Sequence, residues 1–372
     1  MALLFPTLGP SGFYWYLSFA AGLPYIVLPI SYARVLKYKL RMIEGFMSHN
    51  AVFAAYVNRF GKAKDRDTAV SDLFGLTYNW QLYALAVLSN FVVVAAGVCV
   101  CLICSGISMG LPPALEALLA KAPSTLLLSL GGAYVLNLYD LLKRYRVSDL
   151  YPSSLHFHWL HMIIAAFLGP LLAQAFAPGI GRIVAFGIGA FPIKDSLDYV
   201  AKYVRKRLEL SPTTPTGEGG TLNKLQGVTE GTIERLEEEG ITSTVHLAYS
   251  DPIKLLLRTN IQWVVLIDLI DQALLFNYIG DKAAELRLAG IRGSIEMAAI
   301  AQGLYKGNKD EQGRAKIALH FVSGRLGLSD DEVLILAEGL REDGQVDLLW
   351  ELYTPEFADE LLAANTTEDG KD

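Results

Sequence analysis

Four long stretches of this chain are nearly free of charge: Phe13–Ala33, Leu82–Met109, Ser124–Leu142 and Leu155–Ala177. About 20 apolar residues carry a helix across a bilayer, so each predicts a membrane span. A fifth apolar stretch, Ile183–Ile193, is short and broken by Gly187 and Gly189. Between the first two spans, Phe46, Val52, Phe53, Tyr56, Val57 and Phe60 are separated by polar residues. That spacing predicts an amphipathic helix within Gly45–Trp80, lying along the membrane or against the C-terminal region.

The pattern changes after the fifth stretch. Ser211–Thr221 reads SPTTPTGEGGT, a run that cannot hold a helix and marks a linker. Beyond it, helical periods alternate with glycine breaks: Leu222–Gly240, Ile253–Leu257, Ile261–Tyr278, Lys282–Gly290, Ser294–Gly303, Ala315–Gly327 and Asp330–Leu340. Trp263–Tyr278 is nearly apolar, but Asp268, Asp271 and Gln272 share one face. It reads as the core helix of a soluble domain and not as another span. The expected fold class is all-α: a polytopic helical membrane domain over 1–210 with four to five spans, a linker at 211–221, a soluble helical domain over 222–362 and a disordered tail at 363–372.

Charge sharpens this division. Residues 1–193 hold 13 Lys and Arg against 7 Asp and Glu, a balance of +6, whereas residues 194–372 hold 19 against 31, a balance of −12. Basic residues gather at Arg34, Lys37, Lys39 and Arg41, at Arg59, Lys62, Lys64 and Arg66, at Lys143, Arg144 and Arg146, and at Lys202, Arg205, Lys206 and Arg207. Such clusters mark cytoplasmic flanks, which places the N-terminus outside and the C-terminal domain in the cytoplasm. Four full crossings would put that domain outside. Agreement returns if Ile183–Ile193 makes a fifth crossing, or if Leu155–Ile193 is a re-entrant hairpin bent near Gly169-Pro170 and Pro178-Gly179. The first basic residue, Arg34, follows the first apolar stretch, so that stretch reads as a retained span and not a cleaved leader.

An internal echo appears at a 50-residue offset. Leu236, Gly240, Ile241, Val245, Leu247 and Ala248 correspond to Leu286, Gly290, Ile291, Ile295, Met297 and Ala298. The first copy resembles a helix-hairpin-helix motif, carried by Leu222, Leu225, Gly227, Val228, Ile233, Leu236, Gly240 and Ile241. Thr229 stands where that motif usually has its second glycine, and the next helix carries Glu230, Glu234, Glu237, Glu238 and Glu239. Duplex affinity rests on neutralising phosphates with Lys and Arg, so this acidic face argues against nucleic acid and offers itself to a protein partner. Phe191-Pro192, Leu236–Ile241, Arg258-Thr259 and Asp268–Leu275 extend the likeness. Over roughly 180–300 the chain is similar to uncharacterised bacterial multipass membrane proteins with a helix-hairpin-helix-like C-terminal domain. That resemblance implies a bacterial inner-membrane location and brings no activity.

Candidate chemistry lies mostly in the spans. His156, His158 and His161 cluster at the start of the fourth, with His158 and His161 on neighbouring turns. Asn137 and Asp140 fall where they could face them, and Asn90 sits inside the second span. Ionisable groups within spans suggest either a metal site at His158 and His161 or a polar path through Asn90, Asn137 and Asp140. An interfacial belt, with Trp159 and Tyr151 alongside, is the structural alternative. Cys101 and Cys104 form a lone CxxC inside an apolar run, and with Cys99 they read as packing residues. Gly179, Gly181, Gly187 and Gly189 complete no nucleotide loop and suit close helix contact, as does the stripe Gly97, Cys101 and Ser105.

No cofactor motif and no nucleophile–base pair stands out. Three function classes follow: a non-enzymatic membrane-anchored scaffold or sensor whose acidic domain binds a protein partner, a channel, transporter or pore-forming effector gated by that domain, and a membrane enzyme with a histidine metal site. The expected partners are the lipid bilayer, a protein and a second copy of the chain.

Overall fold

The computed structural model describes residues 10–61, 65–78, 80–192, 220–287 and 290–353. Most of the expected linker and the whole tail at 363–372 lie outside these residues, as do Ile193 and the basic cluster from Lys202 to Arg207. Every regular element among the described residues is helical. The helices are α1 (Pro10–Gly22), α2 (Pro24–Ser31), α3 (Ala33–Ser48), α4 (Asn50–Phe60), α5 (Arg66–Thr77), α6 (Trp80–Cys104), α7 (Pro113–Leu119), α8 (Ser124–Arg146), α9 (Pro152–Ala173) and α10 (Pro178–Ala190). They continue as α11 (Glu230–Glu238), α12 (Thr244–Ala248), α13 (Pro252–Arg258), α14 (Trp263–Ile279), α15 (Ala283–Arg287), α16 (Ser294–Lys306), α17 (Lys309–Leu326), α18 (Asp330–Arg341) and α19 (Gly344–Tyr353).

Five segments among the described residues are long and apolar enough to cross a membrane: Tyr14–Ser48, Tyr83–Cys104, Ser124–Arg146, Pro152–Ala173 and Trp263–Arg287. The first four coincide with the hydropathic stretches. The chain divides into two compact units, residues 1–37 with 78–214 and residues 38–77 with 215–372. The stretch between the first two spans therefore belongs with the C-terminal helices.

The first unit is an up-and-down bundle. Ser18 meets Cys99 and Phe19 meets Phe91, so α1 runs antiparallel to α6. Asn137 meets His158 while Ser129 lies against Gly169, so α8 and α9 are antiparallel too. Gly169 faces Ala185 and Ala173 faces Gly181, which turns α10 back along α9. Tyr32 donates to the Ser148 carbonyl at 2.7 Å, Tyr83 donates to the Leu150 carbonyl, and Tyr78 packs edge-on to Tyr151. The end of span one, the start of α6 and the α8–α9 turn thus share one end of the bundle. Outward positions stay apolar, as at Leu85, Leu88 and Val92 on α6 and Phe167 and Leu171 on α9.

Glycine sets the closest approach. A Cβ at Gly189 would collide with the Ser129 carbonyl, and one at Gly132 would lie 2.8 Å from the Ala190 nitrogen, so α8 and α10 touch backbone to backbone. Gly181 packs likewise on Ala173, whereas Gly179, Gly187 and Gly97 have room. The expected stripe at Gly97, Cys101 and Ser105 is therefore not a close contact at its glycine. Cys99 instead joins Ile103 and Met109 in a small apolar cluster.

The second unit is built around α14. Its apolar positions Leu266, Ile267, Leu269, Ile270, Ala273, Leu274 and Leu275 are buried, and so are Asp271 and Gln272. The polar residues anchor turns. Gln272 exchanges hydrogen bonds with the Gln226 N–H at 2.8 Å and the Gln226 carbonyl at 3.2 Å. Asp271 accepts from the Ser294 hydroxyl and from the Ile295 N–H at 2.9 Å, at the opening of α16. Asn277 accepts from Thr244 at 3.0 Å, at the opening of α12.

The 50-residue echo returns as backbone geometry. Gly240 and Gly290 have φ of 80° and 85°, and Ile241 and Ile291 donate to the carbonyls of Leu236 and Leu286 at 2.9 and 3.1 Å. This left-handed helix ending relieves orphan carbonyls and suits glycine, which has no Cβ. Thr244 and Ser294, the echoed positions after each glycine, both dock on α14.

Residues 38–77 complete this unit by holding both ends of α13. Lys39 is buried and donates to the carbonyls of Leu257 at 2.9 Å and Thr259 at 3.3 Å. A helix leaves its last carbonyls without intrahelical donors, and an ammonium there complements the dipole. At the other end Asp251 accepts from the N–H groups of Ile253 and Lys254, both at 3.0 Å, and Tyr56 donates to its second oxygen at 2.7 Å. Lys39, one of the basic residues that follow the first apolar stretch, is spent inside the fold.

Candidate functional site

The expected polar residues of the spans assemble in the first unit, within three turns of α9. Asn90 on α6 donates to the carbonyls of Ala86, at 2.8 Å, and Leu155 on α9, at 2.6 Å. Asn137 on α8 donates to the His158 carbonyl at 2.8 Å, and its side-chain oxygen faces His161 Nδ1 at 2.9 Å. Asp140, one turn on, faces His158 Nε2 at 2.9 Å and accepts from Arg144 Nε at 2.8 Å. Arg144 lies 3.7 Å from Asp149 as well. Each amide fixes a neighbouring helix, since in hydrocarbon a side-chain donor has few partners besides another helix.

These groups are deeply buried: Asn90 is 0% exposed, Asn137 3%, His158 4% and His161 5%. The Asp140 side chain, at 31%, and Arg144, at 15%, reach the surface. Tyr25 on α2, also fully buried, packs edge-on to the His158 ring at 6.0 Å. Four atoms of the layer, Tyr25 Oη, Asn90 Oδ1, His158 Nδ1 and His161 Nε2, are buried without a hydrogen-bond partner in the protein. Tyr25 and Arg144 belong to this layer though the sequence did not single them out for it. For Arg144 the signal was its i+4 spacing from Asp140. Tyr25 carries no such signal in a run of apolar residues.

Among the described residues, no three or more His, Cys, Asp or Glu side chains are placed to hold a metal ion. His158 and His161 each give one nitrogen to a neighbouring side chain, and His156 turns aside to accept from Trp159 at 3.2 Å. The cysteines are free thiols; Cys104 donates to the Leu119 carbonyl and Cys99 to Ser18.

The acidic face expected to meet a partner lies on α11 of the second unit. Glu230 and Glu234 are exposed there. Glu238 is exposed too, but it pairs with Arg235 at 2.9 Å, and Glu237 is half-buried and engaged within the protein. Arg235 also pairs with Glu239 at 2.9 Å and donates to the Arg258 carbonyl. Part of this acidic run thus neutralises a buried arginine.

Comparison with family models, with curated proteins and with solved structures returns no match for this chain.

Proposed function

We propose that this chain is a non-enzymatic membrane-anchored scaffold or sensor, whose helical second unit binds a protein partner in the bacterial cytoplasm. One observation carries the reading: the second unit is assembled from two chain segments that flank the apolar bundle in sequence. A compact unit lies on one face of a bilayer, so residues 38–77 and 220–353 share that face. An even number of crossings must then separate residue 77 from residue 220. The helices α6, α8, α9 and α10 supply four, and α10 runs back towards the end shared by Tyr32 and Tyr151. With span one the total is five. A helix of 13 residues covers about 20 Å of the roughly 30 Å core, which suits a short return packed against α8.

Helix α14 stays outside the bilayer in this reading. Asp271 and Gln272 are buried in protein and spent on turns, so its apolar surface serves a soluble core, as helix-hairpin-helix-like units would need. The partner-facing surface is α11, where Glu230 and Glu234 point to water. The basic flanks from Arg34 to Arg41 and from Lys143 to Arg146 support a cytoplasmic side for both segments.

The test is capture from cells by the full-length protein and by Glu230→Lys/Glu234→Lys. Loss of one specific cytoplasmic protein in the variant supports the reading; identical capture by both counts against it. Cysteine labelling at Glu44 and Glu311 in intact cells checks the topology, which predicts that both are shielded from an impermeant reagent.

A further inference from the structure

We infer that the outer faces of α17 and α18 are the two halves of a self-association surface, α17 of one copy receiving α18 of another. Residues three and four apart share one side of a helix, and on α17 that side carries Gly313, Ile317, Phe321 and Gly324, all exposed. Ile317 is 73% exposed and Phe321 46%, with Arg325 over the Phe321 ring at 5.4 Å. By the same helical spacing Arg314 and Arg325 flank this stripe on one side, Lys309 and Lys316 on the other, and Asp310 lies on it in the first turn. On α18 the spacing aligns Asp331, Ile335, Gly339 and, one residue past the helix, Glu342. Ile335 is 67% exposed, and Glu332 and Glu338 flank it. The opposite sides of both helices, with Leu319 and Val322 on α17 and Val333 and Ala337 on α18, already fill the core of the unit.

Within one chain these faces do not cover each other, since Ile317, Phe321 and Ile335 are all open to water. Between two chains they match. An isoleucine among carboxylates meets an isoleucine and a phenylalanine among arginines and lysines, so apolar centre meets apolar centre and each rim meets its opposite charge. Glycine leaves room for the approach: among the described residues nothing comes within 4 Å of where a Cβ would stand at Gly313, Gly324 or Gly339. The other acidic helix, α11, carries no exposed large apolar side chain and lacks such a centre. An anionic lipid surface suits α17 alone. Only residues 327–329 separate it from α18, and His320 lies 3.4 Å from Asp330, so headgroups drawn to the basic face would also confront the carboxylates. Reciprocal pairing closes a two-fold dimer in which each copy gives both faces. Copies held in one membrane meet at raised effective concentration, so a modest contact suffices.

The test uses full-length protein, labelled in two colours and reconstituted in phosphatidylcholine bilayers, with energy transfer followed as added lipid dilutes the protein. One variant reverses the basic face, Arg314→Glu/Lys316→Glu, and a second reverses the acidic face, Asp331→Lys/Glu342→Lys. Each alone sets like charges against each other, and its self-association should weaken about tenfold or more. Mixed one to one, the two variants oppose acid to base at both contacts, and transfer should return to the wild-type level. That recovery also shows that both are folded. No wild-type transfer above random proximity, unchanged transfer in either variant, or a mixture no better than its components would overturn the inference. So would slowed hydrogen exchange across residues 313–325 in anionic bilayers without transfer, which would give the face to headgroups. Both variants keep Glu230 and Glu234, so this inference and the scaffold reading fail independently.

Discussion

The buried asparagines of the first unit reach for carbonyls inside a neighbouring helix, as Asn90 does at Leu155 and Asn137 at His158. In the second unit they reach for helix ends: Asp271 for the opening of α16, Asp251 for the opening of α13, Lys39 for its close. Length explains the contrast. The bundle helices α6, α8 and α9 have 25, 23 and 22 residues, so their cores contain few termini. The helices α12, α13 and α15 have only 5, 7 and 5 residues. Each terminus leaves four backbone groups unpaired, so in helices this short nearly every peptide group needs outside help. The same residue types therefore join helices in one unit and terminate them in the other.

The largest expected break in this comparison is Gly189→Val in the first unit. The added side chain meets the Ser129 carbonyl, and overpacking of a backbone contact costs about 3 kcal/mol or more. Thermal unfolding of the purified protein in detergent should fall sharply, while Gly97→Ala, with open space around it, should change little. Next comes Asp271→Ala, which strips the Ser294 hydroxyl and the Ile295 N–H of their acceptor at about 2–4 kcal/mol. Hydrogen exchange should rise across α16 and leave the bundle unaltered; equal loosening of both units would refute the separation.

The bundle was largely legible in the sequence, because spans announce themselves by hydropathy and four of them match observed helices. Asn90, Asn137, Asp140 and His158 stood out as polar groups in apolar runs and do lie in one layer. Tyr25 did not, since a tyrosine in a membrane segment is unexceptional. Close packing was half legible: Gly181 and Gly189 touch neighbours, but Gly132 and Gly169 were passed over and Gly97 is open. Spacing along one helix cannot say which face its neighbour takes. The 50-residue echo foretold matching turns at Gly240 and Gly290. The burial of Lys39 was not legible, because its carbonyl partners at Leu257 and Thr259 lie more than 200 residues away, beyond any local pattern.

Lys39→Met offers a smaller test. It keeps the apolar stem and removes the ammonium, so the end of α13 loses a buried donor worth about 1–3 kcal/mol. Exchange at Leu257 and Thr259 should quicken by one to two orders of magnitude, about 1.4 kcal/mol per tenfold.

Acid gives the finest distinction, because it acts on the two units with opposite sign. Glu116 binds the N–H groups of Leu111 and Met109, which hold its carboxyl below the usual range. The loop it secures is stable above the ordinary carboxylate value and loosens as pH falls through the lowered one. Burial pushes the Asp251 carboxyl up, so the folded second unit takes a proton more readily than the unfolded chain. Its stability should rise as pH drops from that raised value towards the ordinary one. Exchange at 108–111, relative to its intrinsic rate, should therefore accelerate as pH falls below about 4.5 while Ile253 and Lys254 stay protected. Glu116→Gln should abolish the first response, and Asp251→Asn the second.

The split construction of the second unit bears on how the molecule is made. A ribosome delivers Lys39 and Tyr56 when only the first span of the bundle has been made, and their partners emerge only after residues 78–214 have been synthesised. At 5–20 residues per second, that interval is on the order of ten seconds or more. Throughout it the apolar faces of α3 and α4 stand unmatched. A chain ending after the bundle would leave Lys39 without its carbonyl partners and Tyr56 without Asp251.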